Sequence, residues 1–239
     1  MPLPVEDAVP AVRAALRDPG AAVLVAPPGS GKSTVVPLRL LDDVDGRIVV
    51  LQPRRVATRA VAARLASNLG CAVGDVVGYR TRDDARVSSA TRIEVVTEGI
   101  LTRRLQSDPS LPGIGAVLFD EVHERNLNTD LGLALAIEVR RTIRPDLRLL
   151  AMSATLAAEK VASLLDGPVI TAEGSPHEVD VWWSPPPPRT RVVDAVPAAV
   201  RRALADPTVG GDVLVFLPGV GEIEGVRREF DDLDADVLP

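Results

Sequence analysis

Residues 22–34 read Ala-Val-Leu-Val-Ala-Pro-Pro-Gly-Ser-Gly-Lys-Ser-Thr, and this stretch decides the fold of the chain. It begins inside a short apolar run, Ala21 to Ala26, which is consistent with a buried strand of a parallel sheet. The run ends in a glycine-rich turn, where Gly29 and Gly31 let successive backbone N–H groups point at a phosphate. A predicted helix follows at once, and its N-terminal dipole favours an anion. The stretch therefore predicts a phosphate-binding loop between a strand and a helix.

The loop also carries the side chains that phosphate chemistry requires. Lys32 can reach the β and γ phosphates of a nucleotide, and the Ser33 hydroxyl can ligate Mg²⁺. We therefore expect a site for ATP and Mg²⁺ formed by the loop residues Pro28, Gly29, Ser30, Gly31, Lys32, Ser33 and Thr34. The alternative is an ordinary strand–turn–helix, which should contain this pattern by chance in roughly one of a thousand chains of this size. Composition favours the functional interpretation, because Lys32 is one of two lysines in a chain with 25 arginines.

Bulk composition excludes several classes of protein. The single cysteine allows no intramolecular disulfide and no cysteine metal cage. No apolar run approaches the roughly 18 residues of a membrane span, and the first residues do not resemble a signal peptide. We therefore expect a soluble, cytoplasmic protein without a membrane partner. The net charge of −6 is distributed unevenly, with +1 on residues 1–172 and −7 on residues 173–239, so any contact with a nucleic-acid backbone must be local.

Strands and helices are predicted to alternate over residues 1–172, the first predicted domain. The predicted strands are 21–26, 47–52, 76–79, 92–96, 116–120, 148–152 and 169–171. The predicted helices are 5–17, 33–41, 56–69, 98–106, 130–143 and 157–165. This alternation specifies an α/β fold with a parallel sheet covered by helices on both faces.

The character of the sequence changes after residue 172. Residues 173–191 are interpreted as a linker, because residues 179–183 are predicted to be extended and residues 185–188 are four consecutive prolines. A helix is predicted at 192–204 and a strand at 212–216. One strand and two helices cannot bury an independent sheet. We therefore interpret residues 192–239 as the incomplete start of a second α/β domain.

The second strong pattern is Asp-Glu-Val-His at residues 120–123, directly after an apolar strand. In a doubly wound sheet, ligands gather at the carboxyl ends of the strands, so this motif should share one sheet edge with the phosphate loop. Asp120 can hold Mg²⁺ through its water shell, since Mg²⁺ dehydrates reluctantly. Glu121 can polarise the water that attacks the γ-phosphate. Without the phosphate loop upstream, a solvated acidic loop would be the better interpretation.

Several motifs together resemble the DEAH-box helicases of superfamily two. The sequence Asp-Glu-Val-His-Glu-Arg at 120–125 resembles their D-E-x-H-E-R motif. Further resemblances are Gln52–Ala57 to motif Ia, Thr97–Leu101 to motif Ib, Ser153–Thr155 to motif III and Leu214–Gly219 to motif IV. Ala26 replaces the first glycine of the general phosphate-loop pattern, a variant that these helicases tolerate. The subfamily most similar is the bacterial HrpB type, although Val122 stands where Phe or Ala is expected.

The resemblance implies a RecA-like fold and assigns roles to further residues. The residues implied to contact the backbone of single-stranded nucleic acid are Arg54, Arg55, Thr97, Glu98, Gly99 and Arg103. Those implied to couple the state of the γ-phosphate to domain movement are His123, Ser153, Ala154 and Thr155, with His123 counted among the catalytic residues beside Lys32 and Glu121. Arg64 lies where the family stacks an arginine on the adenine base.

Structural alternatives exist for these residues. Thr97 and Glu98 could simply begin a helix, and Ser153 could belong to an ordinary N-cap region. Arg54 and Arg55 are different, because two cations at a helix start oppose the helix dipole and favour a functional explanation.

The resemblance also implies that ATP is hydrolysed between two lobes. No Gln-x-x-Gly-Arg-x-Gly-Arg stretch, the arginine-finger motif of the second lobe, occurs in the 239 residues. We therefore expect this chain to be the N-terminal part of a longer protein and to be weakly active or inactive alone. The predicted function is an ATP-dependent helicase acting on single-stranded nucleic acid, RNA rather than DNA. Two alternatives stay open: a module that binds nucleotide and nucleic acid without catalysis, and an ATPase without a nucleic-acid partner. The sequence does not determine the oligomeric state.

Overall fold

The computed structural model describes residues 3–155, 158–173, 179–208, 210–231, 233 and 236–238. Contacts divide the chain into two compact units, Met1–Pro176 and His177–Pro239. The division falls near the boundary that the sequence predicts after residue 172. No helix among the described residues is long and apolar enough to cross a membrane.

The first unit is built on one eight-stranded sheet. Its strands are β1 (Ala21–Val25), β2 (Arg47–Gln52), β3 (Val77–Arg80), β4 (Ala85–Arg86), β5 (Ile93–Thr97), β6 (Ile114–Phe119), β7 (Arg148–Ser153) and β8 (Val169–Thr171). Its α-helices are α1 (Val9–Arg17), α2 (Val36–Arg39), α3 (Arg55–Leu69), α4 (Glu98–Ser107), α5 (Leu127–Thr142) and α6 (Glu159–Leu165). Short 3-10 helices span Pro4–Ala8 and Val122–Glu124. The strand order is β4-β3-β5-β2-β6-β7-β1-β8, and all pairs are parallel except β3 with β4. The predicted α/β architecture is confirmed.

Apolar cores cover both faces of the sheet. In β1, Ala22 and Leu24 belong to the core on one face, and Val23 belongs to the core on the other. Alternate residues of a strand point to opposite faces, so a strand buried on both sides needs a continuous apolar run. This requirement explains why β1 was recognisable from the sequence.

The parallel topology brings five strand ends together in a row. Along the sheet the neighbours are β5, β2, β6, β7 and β1, and the chain leaves all five at the same edge. These ends carry Thr97, Gln52, Asp120, Ser153 and the phosphate loop, in that order. The predicted meeting of the loop and the acidic motif follows directly from this arrangement.

The helix after the phosphate loop is shorter than predicted. Residues 33–41 were expected to be helical, but regular α-helix is confined to Val36–Arg39. Pro37 has no backbone N–H and cannot donate to the carbonyl group of Ser33, which removes a hydrogen bond that a longer helix needs. A four-residue helix has a small dipole, so binding of an anion here must depend mainly on the loop amides and Lys32.

A short hairpin was missed in a region predicted to be an irregular loop. Strands β3 and β4 pair through Tyr79 with Arg86 and Arg80 with Ala85. The Tyr79 hydroxyl donates to Asp84 at 2.6 Å, which closes the turn. The hairpin places the charged residues 82–84 beside the N-terminal half of α3, as the ion pair between Asp83 and Arg55 shows.

The described residues of the second unit form two helices, α7 (Val192–Ala205) and α8 (Val220–Arg228). The strand predicted at 212–216 is wrong. No residue in this segment pairs with another strand in the described part of the chain, and the side chains of Leu214 and Phe216 are 79% and 87% exposed. A strand forms only where a neighbouring strand satisfies its backbone groups, and the described residues of this unit offer none.

Candidate functional site

The phosphate loop is held open by two glycines with positive φ angles. Gly29 has a φ of 76° and Gly31 a φ of 95°, a region that other residues adopt only at a cost. A Cβ atom on Gly31 would also lie 2.8 Å from Cδ1 of Leu3, so a larger residue would have to displace the Leu3 side chain. The N-terminal segment supports the loop from the same side, because the Val5 N–H donates to the Ser30 carbonyl oxygen at 3.2 Å.

Asp120 lies fully buried directly after β6, in contact with the phosphate loop and with the end of β2. Its carboxylate accepts hydrogen bonds from the Ser33 hydroxyl and the Gln52 side-chain amide. Burial raises the pKa of the Asp120 carboxyl, and the charge of Glu121 acts in the same direction, while the hydrogen bond from Ser33 opposes both. The two predicted metal ligands, Ser33 and Asp120, are therefore brought together.

This pair of oxygen ligands fits Mg²⁺ bound together with a nucleotide. Among the described residues, no cluster of three or more His, Cys, Asp or Glu could hold a metal ion by itself. Mg²⁺ commonly takes one or two protein ligands and completes its shell with water and substrate phosphates. The hydroxyl of Ser33 and the carboxylate of Asp120 are donors of that kind.

The catalytic candidates Lys32, Glu121 and His123 lie close to one another. The Lys32 Nζ atom lies 3.6 Å from Glu121 Oε1, and His123 Nδ1 lies 3.3 Å from Glu121 Oε2. The Lys32 side chain is almost fully buried, and a buried cation needs a counter-charge, which Glu121 supplies. Glu121 itself has a φ of 53°, a left-handed conformation that is uncommon outside glycine.

The tautomer of His123 follows from its hydrogen bond to motif III. The Ala154 backbone N–H donates to His123 Nδ1 at 3.2 Å. A backbone N–H can only donate, so Nδ1 must present its lone pair and the ring proton of the neutral imidazole lies on Nε2. In this state Nδ1 cannot donate to Glu121. The imidazole is therefore hydrogen-bonded to the backbone of residue 154 and not to Glu121.

The motif III residues form a tight turn beside the phosphate loop. The Ser153 hydroxyl donates to the Thr155 carbonyl oxygen at 3.1 Å, and the Thr155 N–H lies 3.2 Å from the same hydroxyl oxygen. The Ser153 carbonyl oxygen accepts from the Ala26 N–H at 3.0 Å, which joins β7 to the start of the loop. Ser153, Ala154 and Thr155 thus connect the loop with His123.

The motif Ia and Ib residues border a separate cavity of about 320 Å³ at the same sheet edge. The cavity is lined by Pro53, Arg55, Arg82, Thr97, Glu98, Gly99, Ile100 and Arg103. Three of these side chains are guanidinium groups. Glu98, the one acid, is buried, and its carboxylate accepts a hydrogen bond from the Thr129 hydroxyl at 2.5 Å. Glu98 therefore anchors the first turn of α4, while the cavity presents a surplus of positive charge.

Arg54 and Arg64 lie outside this cavity. Arg54 precedes α3, is exposed, and pairs with Glu124 at 2.8 Å. Arg64 is exposed on α3, and Asn68, four residues later, donates to the Thr34 carbonyl oxygen at 3.2 Å. Residues four apart share one face of a helix, so Arg64 lies on the face of α3 that meets the phosphate loop. Its stacking on adenine stays a prediction.

Comparison with known proteins decides the family. A family model of DEAD/DEAH box helicases matches residues 7–164, about two thirds of the chain. The chain belongs to the DEAD/DEAH box helicase family. It is 45% identical over 240 residues to the ATP-dependent RNA helicase HrpB of Escherichia coli (strain K12), which covers 99% of the chain and 29% of that helicase. The predicted family is confirmed, and its HrpB-type subfamily agrees with this similarity.

Two solved structures of HrpB confirm the RecA-like helicase fold of the first unit. The crystal structure of the Escherichia coli DEAH/RHA helicase HrpB matches with a TM-score of 0.88, 45% identity and coverage of 96% of this chain and 30% of that one. The crystal structure of the E. coli DExH-box NTPase HrpB matches with a TM-score of 0.80, 45% identity and coverage of 97% and 29%. This helicase-family chain therefore spans less than a third of the length of the relatives that it matches.

Two candidate residues of this helicase domain were not predicted from the sequence. Gln52 contributes its amide to Asp120, whereas the sequence indicates it only as the first residue of motif Ia and as the polar end of β2. Arg82 lines the basic cavity, but it reaches that position through the β3–β4 hairpin. Because the hairpin itself was missed, the sequence offered no means of finding Arg82.

The buried Ser30 hydroxyl offers a test of the phosphate loop. Its oxygen is buried and has no hydrogen-bond partner among the described residues. An unpaired buried polar group costs about 1–3 kcal/mol, a cost that a bound phosphate could relieve. We expect Ser30→Ala to raise the free energy of unfolding by about 1 kcal/mol and to weaken ATP binding about fivefold. Urea unfolding and nucleotide titration measure the two effects, with Ser163→Ala, an exposed serine, as the matched control. A loss of stability in Ser30→Ala would show that the hydroxyl has a structural role.

Proposed function

We propose that the chain is the ATP-binding part of a helicase that moves along single-stranded nucleic acid. One observation carries this proposal: Lys32, Asp120 and Glu121 meet at the same sheet edge as a cavity lined by Arg55 and Arg103. An enzyme that couples ATP hydrolysis to movement along single-stranded nucleic acid needs a nucleotide site next to a basic surface. RNA is favoured over DNA because the similar HrpB protein is named as an RNA helicase.

The nucleotide chemistry is assigned to four residues. Lys32 would contact the transferred phosphate, and Ser33 and Asp120 would hold Mg²⁺, which supplies charge neutralisation at the phosphates when bound. Glu121 would accept a proton from the attacking water, since it is the carboxylate beside Lys32 that is not committed to Ser33 and Gln52. The loop residues 28–34 would surround the phosphates, and Arg64 would face the base.

The nucleic-acid contacts are assigned to the exposed cations of the same edge. The nucleic-acid phosphates would be bound by Arg54, Arg55 and Arg103. The sugar–phosphate backbone would also be contacted at the start of α4, by Thr97 and Gly99. Such contacts hold a strand without reading its sequence, as movement along any strand requires. The motif III turn bonds to the start of the phosphate loop on one side and to His123 on the other, which supports a role of these residues in coupling.

The complete catalytic site is expected to need a second domain. We propose that residues 192–239 are the start of that domain and residues 173–191 the linker. The arginine-finger motif is not present in the 239 residues, so this chain alone should bind Mg-ATP weakly and turn it over slowly. Strong stimulation of ATP hydrolysis by RNA in this chain alone would contradict that expectation.

The strand-binding surface can be tested with a double substitution. We expect Arg54→Ala/Arg55→Ala to weaken binding of a fluorescein-labelled single-stranded RNA at least tenfold at low salt. The slope of log affinity against log salt should fall by about 1.4, since each lost phosphate contact contributes about 0.7. Fluorescence anisotropy with RNA and with DNA of the same sequence measures both.

The matched control is Arg227→Ala/Arg228→Ala, which removes two neighbouring arginines of α8. It loses the same net charge and should leave the affinity within twofold. If the two double variants lose equal affinity, binding depends on net charge alone and the proposed surface is wrong.

A further inference from the structure

An ion pair connects the proposed nucleic-acid surface with the acidic motif. Arg54 Nη2 lies 2.8 Å from Glu124 Oε1. Arg54 immediately precedes α3, and Glu124 is the last residue of the 3-10 helix Val122–Glu124. The arginine side chain is 73% exposed, so a phosphate from solution can reach it.

Glu124 is joined through the backbone to the residue that would activate water. The Glu124 N–H donates to the Glu121 carbonyl oxygen at 3.0 Å. The short helix is bracketed by Glu121 and Arg125, with φ angles of 53° and 52°. Left-handed conformations are unfavourable for residues other than glycine, so this turn is held in place by its contacts. A change at Glu124 can therefore be transmitted to Glu121.

Arg55 makes a comparable ion pair that lacks this connection. Its Nη1 atom lies 2.7 Å from Asp83 Oδ2, and both side chains are exposed to a similar extent. Asp83, however, lies at the turn between β3 and β4, away from the acidic motif. Both pairs offer an exposed arginine to a nucleic-acid phosphate. They differ in the position of the carboxylate, because Glu124 is hydrogen-bonded to Glu121 through the backbone and Asp83 lies in the β3–β4 turn.

We propose that Glu124 is a positioning residue that couples strand binding to the nucleotide site. This inference rests on the proposed function. A phosphate of the bound nucleic acid competes with Glu124 for the Arg54 guanidinium. The phosphate can accept two parallel hydrogen bonds from that guanidinium. An exposed ion pair favours the paired state by a factor of about five at most in the equilibrium constant, so a nucleic-acid phosphate can replace the Glu124 carboxylate. Once released, Glu124 no longer ties the turn to α3, and Glu121 changes its position relative to Lys32.

The test compares Glu124→Gln with Asp83→Asn in this chain. Both variants remove one carboxylate from an arginine of the surface, so both should bind a fluorescein-labelled oligo(U) two- to fivefold more tightly at low salt. The second measurement is the affinity for a fluorescent ATP analogue with Mg²⁺, without and with saturating oligo(U). We expect the strand to change this affinity at least threefold in wild type and in Asp83→Asn, and less than 1.5-fold in Glu124→Gln.

Further variants separate positioning from general damage. Glu124→Asp keeps the charge and should recover at least half of the coupling, whereas a variant that merely disturbs the fold would not be rescued. The inference is overturned if oligo(U) changes the affinity for the ATP analogue equally in Glu124→Gln and in wild type, or not at all in wild type. Binding of oligo(U) by wild type would still support the proposed function in either case. Failure of wild type to bind oligo(U) at all would instead contradict the proposed function itself.

Discussion

Replacing Glu121 with Gln is expected to preserve or tighten Mg-ATP binding, while Lys32→Ala weakens it at least 100-fold. The reason lies in the ion pair between them, in which Lys32 Nζ is 3.6 Å from Glu121 Oε1. A nucleotide must take the lysine away from this carboxylate, so removing the charge of residue 121 removes a competitor. Removing Lys32 removes the cation that the phosphates need. In a protein that includes the proposed second domain, Glu121→Gln should lower ATP hydrolysis by about 10²–10⁴, the range contributed by general base catalysis.

The chain offers a matched control for the lysine substitution. Lys160, the only other lysine, is exposed on α6. Lys160→Ala should bind a fluorescent ATP analogue as wild type does, which separates loss of the loop lysine from loss of charge. If Glu121→Gln weakens binding as much as Lys32→Ala, Glu121 holds the loop in shape and the proposed role as base is wrong.

The largest effect on stability is expected at Glu94, which lies within the sheet. Its carboxylate is fully buried in β5 and bonds to Arg47, Arg80 and Arg104 at 2.9, 3.0 and 2.7 Å. Removing the carboxylate leaves three guanidinium groups close together without a counter-charge. Breaking a buried ion pair costs about 3–5 kcal/mol, and these arginines retain some access to water. We therefore expect Glu94→Ala to lower the free energy of unfolding by about 3 kcal/mol.

The same cluster predicts a dependence of stability on pH. Burial alone would raise the pKa of Glu94, but the arginines, Arg104 foremost, outweigh it and hold the pKa below the ordinary value of 4.5. A carboxyl whose pKa is lower in the folded state contributes its stability above the unfolded value and loses it as the pH falls through the folded one. Wild type should therefore lose stability below about pH 4.5 more steeply than Glu94→Gln.

Urea unfolding followed by far-UV circular dichroism measures both effects. Asp146→Ala serves as the control, because Asp146 pairs with Arg144 but is 66% exposed. Surface substitutions of this kind usually change stability by less than about 0.5 kcal/mol. If Glu94→Ala and Asp146→Ala lower the free energy of unfolding equally, the buried cluster around Glu94 adds no more stability than an exposed ion pair.

Much of the fold and of the candidate nucleotide site follows from local sequence patterns. A strand buried on both faces is apolar over most of its length, which made β1, β2, β6 and β7 recognisable. Parallel pairing then forces the ends of these strands to one edge, so the meeting of Ser33 with Asp120 required no knowledge of distances.

Contacts between distant segments could not be predicted in this way. The bonds from Gln52 to Asp120 and from three arginines to Glu94 depend on which strands are neighbours, and the strand order leaves no trace in any one segment. The short α2 helix shows a related difficulty, since the effect of Pro37 depends on where the loop ends. The strand expected at 212–216 had the right composition but no partner among the described residues.

The packing of the first residues against the phosphate loop has a practical consequence for these measurements. Leu3 occupies the space beside Gly31, and Val5 bonds to the backbone of Ser30. An affinity tag placed ahead of Leu3 would begin within a few residues of the proposed nucleotide site and would disturb the nucleotide titrations. Purification handles for this protein therefore belong at its other end.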